Sequence, residues 1–260
     1  MTLPERLTDG ELRLLLDSEA QRINSPAFIA DDPVQFPRRF TSLPDIEIAA
    51  LLSATIAWGN RKMICRNCHR MLDLMENRPH AYLMDEGYEE LPPEGNIHRT
   101  FFNHNLAAYL RGLRRIYSAF PSLADFARSL QIGASEAPAW KLVEAINSEI
   151  AIANGGSPDP RCLPQNLRAT ALKRVNMALR WLVRDDGIVD LGVWKGVITP
   201  AQLFIPLDVH VGDTARDLGL LTRRTDDRRA VEELTGRLRA FRPDDPVIYD
   251  FALFGIGMRL

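Results

Sequence analysis

At 260 residues, with 46% hydrophobic and 25% charged residues, the chain is long enough to bury a substantial core and has the composition of an ordinary globular protein. A net charge of −2 supplies no global pull toward nucleic acid, so any such binding must come from a local basic face. No apolar run approaches the ~20 residues of a membrane helix, and "MTLPERLTDGELRLLLDSEAQR" lacks the pattern of a signal peptide. The expectation is therefore a cytoplasmic protein without membrane association, whose three cysteines stay reduced.

Nearly every periodic segment reads as helix. "DGELRLLLDSEAQRI" places Leu12, Leu15, Leu16 and Ile23 at helical spacing, with Asp9 as its cap. "DDPVQFPRRF" reads as a Pro-rich extended link. "LPDIEIAALLSATIAWGN" opens with Pro44 in the first turn, is apolar nearly all round, and stops at Gly59; such a helix belongs at the centre of a core. "RKMICRNCHRMLDLMENR" follows as an amphipathic helix, then a polar connection over 78–104. "LAAYLRGLRRIYSAF", "SLADFARSL" and "APAWKLVEAINSEIAIA" are three further helices. "NGGSPDPRCLPQN", near 154–166, is the natural boundary between lobes. Beyond it come "LRATALKRVNMALRWLVRD", a helix over 208–218 closed by Gly219, "DRRAVEELTGRLRAF" and "DDPVIYDFALFGIGM". Only patches such as "GIVDLGVW" read as strand. The fold class expected is all-α: one domain, 1–260, of two helical lobes with a cleft between them.

Three motifs bear on chemistry. "CRNCH", Cys65 to His69, matches the pattern for covalent haem attachment. It falls inside an amphipathic helix on a chain with no export signal, however, so structural packing is the preferred reading. Cys162 is the only other thiol, which excludes a four-cysteine zinc site or iron–sulfur cluster. In "LDVHVGD", Asp208 and His210 are two apart on a helix and point differently, so no shared metal is expected. No metal and no cofactor are assigned.

"LRATALKRVNMALRWLVR" carries Ala171, Leu172, Val175, Ala178, Leu179 and Leu182 on one face. Lys173, Asn176 or Met177, Arg180 and Arg184 form a second, basic face that would look outward. Lys173 and Asp208, 35 residues apart, each stand near a helix start and would supply an amine and a carboxylate.

"LLSATIAWGNRKMICRNCHRML" resembles the early helix pair of helix-hairpin-helix DNA glycosylases of the endonuclease III type. "PLDVHVGDTARDLGL" resembles the segment holding that superfamily's catalytic aspartate, and "YDFALFGIGM" the helix that closes its core. The chain as a whole also resembles a bacterial family of uncharacterised function, through "AWGNRKMI", "LKRVNMALRWLVR" and "PLDVHVGDTAR". The superfamily's Gly-rich hairpin is missing: "CLPQNLRATALK" keeps a Leu-Pro opening, but no glycine follows. The Lys-to-Asp spacing is closer to that of the archaeal 8-oxoguanine glycosylases, which also lack an iron–sulfur cluster.

The resemblance implies the two-lobed fold and excision of a damaged DNA base, an oxidised purine foremost, by a monomer. It makes Lys173 and Asp208 the catalytic pair. Arg61, Lys62, Arg168, Arg174, Arg180 and His210 become the nucleic-acid-binding set, and Trp58, Asn60 and Trp181 the base pocket, with Trp194 a further stacking candidate. A base in duplex DNA must be extruded before its glycosidic bond is reached. Asp208 would then stabilise the cationic sugar, and a neutral Lys173 would form a Schiff base. The rival reading is a non-catalytic nucleic-acid-binding protein of the same fold.

Overall fold

Local sequence explains where the helices start. The computed structural model describes residues 7–260. Helix α1 (Asp9–Ile23) is capped one residue earlier than Asp9, by Thr8. The Thr8 side chain accepts from the Glu11 N–H, and Glu11 returns a carboxylate to the Thr8 N–H at 2.8 Å, so two orphan donors are satisfied reciprocally. A short α2 (Pro26–Ala30) precedes the Pro-rich link expected to be extended, which two 3₁₀ turns, Pro33–Gln35 and Pro37–Arg39, occupy. Pro at the first position of each turn forbids a long helix but suits a tight one.

Helix α3 (Leu43–Thr55) begins on Ser42, and every residue from Ile46 to Thr55 is buried, as all-round apolarity requires. Asn60 caps α4 (Arg61–Leu74) by accepting from the Met63 N–H at 3.2 Å. The 78–104 connection is more ordered than expected. It holds α5 (Pro79–Met84) and a small antiparallel hairpin of β1 (Asn96–His98) and β2 (Phe101–Phe102). These are the only strands among the described residues; "GIVDLGVW" is not a strand. Then follow α6 (Asn103–Ala119), α7 (Leu123–Ser129), α8 (Pro138–Ala153), α9 (Lys173–Val183), α10 (Val209–Asp217), α11 (Arg228–Phe241) and α12 (Tyr249–Met258). The protein is all-α.

One apolar cluster, from Leu12 to Leu253, unites these helices. α6 packs on α8, α3 on α9, and α1 on α12, which in turn packs on α10. The 154–166 link separates α8 from α9, but α1 packs on the C-terminal α12 and α3 on α9, so the packing does not divide at that link. Close crossings rest on small residues. A Cβ at Gly112 would stand 2.7 Å from the Ile150 Cα, and one at Gly257 would stand 3.1 Å from the His210 carbonyl oxygen. The second crossing seats α12 against the first turn of α10, beside Asp208.

A buried acid knots the core. Glu47 of α3 is inaccessible, and its carboxylate accepts from the Leu123 and Ala124 N–H groups at 2.8 Å, the Trp194 Nε1–H at 2.7 Å and the Tyr117 hydroxyl at 3.0 Å. It thus caps α7 from another helix and anchors the segment before α10. Burial pushes its pKa up, against those four donors.

Candidate active site

The site forms where the C-terminal end of α3 meets the first turns of α9 and α10. Leu172 adopts a left-handed conformation (φ 49°), which breaks the chain so that α9 starts at Lys173 rather than at 168. Residues 154–172 contain no helix, so α8 and α9 are not joined by a short hairpin. From the first turn of α9, the Lys173 ammonium reaches the Ala57 carbonyl at 3.5 Å and the Arg174 guanidinium donates to the Thr55 carbonyl. Both carbonyls lie at the C-terminal, negative end of α3, which favours cations there.

Asp208 is the N-cap of α10. Its Oδ1 accepts from the Val211 N–H at 3.0 Å, while Oδ2 stands 3.7 Å from Lys173 Nζ. Capping and pairing therefore use different oxygens of one carboxylate. Each of the two side chains is about a quarter exposed. Both open onto a cavity of about 710 Å³ enclosed by α3, α9, α10, α12 and the start of α4.

The cavity's aromatic rim is also positioned. Trp58 is half-buried, with the His98 ring edge-on at 4.6 Å. His98 Nε2 lies 2.9 Å from the Trp58 carbonyl and Nδ1 2.8 Å from the Asn67 side-chain amide. Donation at Nε2 and acceptance at Nδ1 describe a neutral imidazole, and burial lowers its pKa in the same sense. On the opposite side, Arg61 pairs with Asp32 at 3.2 Å and lies over the Phe28 and Phe254 rings.

The structure places the sequence-derived residues unevenly. Lys173, Asp208, Arg61, Arg174, Trp58 and the exposed His210 all border the cavity. Lys62, Asn60 and Arg168 are exposed but lie outside its lining, Asn60 being committed to capping α4. Trp181 and Trp194 are fully buried in the core and cannot stack on a base.

The outward basic face of α9 does not exist. Asn176, Met177, Arg180 and Arg184 are all buried. Residues 184–199 fold back over that face, the Leu191 and Trp194 N–H groups donating to the Trp181 and Leu182 carbonyls, each at 2.8 Å. Arg180 is bonded to Asp190 and Asp250, and Arg184 to Asp186, Asp190 and Asp245. Arg180 thus forms part of the cavity floor with its charge already matched, and is not free to meet a phosphate.

Sequence reasoning missed Asp250 and Tyr109, both in the cavity lining. Asp250 is buried, binds Arg180 and has its pKa raised to about 6, by burial first and by Asp208 among its neighbours. A lone acid inside the otherwise apolar "YDFALFGIGM" was a usable signal. Tyr109, on the apolar face of α6, offered none.

"CRNCH" is packing. Cys68 and Met71 are in the core, burial pushes the Cys68 thiol up, and His69 is exposed beside Asp73. Among the described residues no group of three or more His, Cys, Asp or Glu could hold a metal ion, and no helix is long and apolar enough to cross a membrane.

Fold and site together define a class: an all-α protein in which an amine and a carboxylate, each set at a helix N-terminus, meet over an aromatic-rimmed cavity. The family model described as "Protein of unknown function (DUF2400)" matches residues 32–259, so the chain belongs to that family. No curated protein and no solved structure matches it.

Proposed function

We propose that the protein is a DNA glycosylase of the helix-hairpin-helix kind, acting in the cytoplasm as a monomer on DNA that carries a damaged base. The observation that supports this most is the approach of Lys173 Nζ to Asp208 Oδ2, 3.7 Å, at a cavity large enough for an extruded base.

In the reaction the base departs with the electron pair of its glycosidic bond and takes a proton from solvent. Asp208, fixed by its cap, holds negative charge beside the sugar as C1′ becomes cationic, an interaction strongest in the transition state. Lys173, once it has lost a proton, forms a bond from Nζ to C1′. Loss of a second proton and opening of the sugar ring then give a Schiff base, from which β-elimination breaks the strand.

The test is a panel of lesion-bearing duplexes incubated with the protein, with and without borohydride. Alkali-revealed breaks report base loss, and a trapped covalent complex reports the Schiff base. A folded protein that excises no base from the panel overturns the enzymatic reading. One observation favours a non-catalytic nucleic-acid-binding protein instead: the 19 residues between α8 and α9 contain no helix and no clamp-like hairpin. That reading expects DNA binding without excision.

A further inference from the structure

One wall of the cavity carries donors that the protein matches only in part. Arg174 is half-buried and spends one N–H on the Thr55 carbonyl, and its titratable neighbours are Tyr109 and Cys162 rather than a carboxylate. Burial lowers its pKa, as expected of a cation drawn out of water without a counter-ion. Beside it the Tyr109 hydroxyl is fully buried; the Thr55 side chain is its polar neighbour, but no hydrogen bond of ordinary geometry satisfies it. Cys162 does not relieve it, since its thiol donates to the Asn105 carbonyl at 3.2 Å. The fully buried guanidiniums are matched: Arg180 and Arg184 sit among four carboxylates. Half-buried Arg239, like Arg174, meets only backbone carbonyls, but it lines no such cavity. Buried polar groups are normally paired, so a guanidinium without a carboxylate beside an unsatisfied phenol on one cavity wall marks a place where a ligand supplies acceptors.

We infer that Arg174 and Tyr109 form the subsite for the carbonyl edge of a neutral heterocyclic base. This deepens the glycosylase reading and rests on it for the identity of the substrate as a base in DNA. An oxidised or deaminated base presents ring carbonyl oxygens, which accept from a guanidinium and a phenol. An adenine made cationic by alkylation at N1 has no ring carbonyl to offer and meets two positive charges, Arg174 and Lys173. Trp58 holds the mouth of the same wall, with the Arg174 guanidinium 5.3 Å from its ring centroid, so a base entering there passes an aromatic surface. The subsite therefore selects for neutral carbonyl-bearing lesions and against cationic alkylated adenines.

The test uses full-length protein carrying Asp208→Asn, so that lesions stay intact, and measures affinity for duplexes bearing 8-oxoguanine, uracil, 1-methyladenine or no lesion. The first two should bind about tenfold more tightly than 1-methyladenine. Tyr109→Phe should shrink that preference to about threefold or less with affinity for undamaged duplex unchanged, and Arg174→Met should shrink it as far while its lost charge lowers affinity for every duplex alike. Equal or tighter binding of 1-methyladenine, or a preference that survives both substitutions, overturns the inference.

A second arm needs no DNA. Trp58 is the only one of the four tryptophans that is not buried, so its emission reports on the wall. Free uracil should change that emission saturably in the parent and not in the Tyr109→Phe, Arg174→Met double variant, while cationic 1-methyladenosine should not. Inorganic phosphate producing the same change and displacing uracil would make this an anion site and overturn the inference. If uracil binds here but no lesion is ever excised, the glycosylase reading fails and the subsite stands. If oxidised bases are excised yet neither variant alters selectivity or uracil binding, the subsite alone fails.

Discussion

Replacing Arg180 with methionine should destabilise the protein by an amount that grows with pH. Arg180 is 3% exposed and is bonded to Asp190, which is 0% exposed, and to Asp250, which is 10% exposed. Methionine retains much of the stem that packs on Phe251 but leaves two buried carboxylates with one cation fewer. Removing one member of such a buried ion pair costs about 3–5 kcal/mol, a large share of a typical folding free energy of ~5–15 kcal/mol.

The carboxylates can reduce that cost by taking up protons. Asp250 already stands at about 6 and Asp190 is already raised, burial being the first cause of each. Arg180 opposes both shifts, so its removal drives both carboxyl groups higher. Folded carboxyls then hold protons that the unfolded chain releases near pH 4, and stability falls as pH rises from there through 6 and beyond. The loss should accordingly be smallest at pH 5 and reach its full size at pH 8. Urea denaturation at pH 5, 6.5 and 8, compared with the parent at constant m, reads this directly. A loss below about 1 kcal/mol at all three values is what an exposed arginine would give; it would refute the buried network and restore the outward basic face that helical periodicity suggests.

Three further expectations follow from the same geometry. Asp208→Asn should lower base excision by at least ~100-fold while changing stability by less than about 1 kcal/mol, because the amide oxygen can still cap α10; single-turnover excision and a urea melt of one preparation decide it, and parent-like excision would reduce Asp208 to a cap. Glu47→Gln should cost about 2–5 kcal/mol, since one amide oxygen cannot serve four converging donors and unmatched buried donors cost ~1–3 kcal/mol each; a shift below about 1 kcal/mol in denaturation would contradict the knot described for α3 and α7. DNA affinity should fall steeply with salt, the contacts coming from Lys62, Arg66 and Arg70, exposed on α4; converting two of them to alanine should flatten the log–log salt slope by about two, and a slope unchanged in the double variant would place the phosphates elsewhere.

The sequence by itself determined what local chemistry controls. Apolar periodicity located the long helices, Gly219 marked the end of α10 while α3 stops at Thr55, short of Gly59, and the apolar circumference of "IEIAALLSAT" made α3 the central helix, as its burial from Ile46 to Thr55 bears out. The candidate pair, Lys173 and Asp208, was also legible, because each marks a helix start and a cap is a short-range feature. Tertiary structure alone decided the rest. Whether Arg180 faces water depends on 184–199 crossing back over α9 with Asp186 and Asp190, and on Asp245 and Asp250 arriving from the C-terminal end. Whether Tyr109 borders the cavity depends on α6 packing beside the elements that bring Thr55, Cys162 and Arg174 to it. Charge pairing between segments dozens of residues apart leaves no period in a sequence, so helical spacing shows that a face is polar but not whether it is wet.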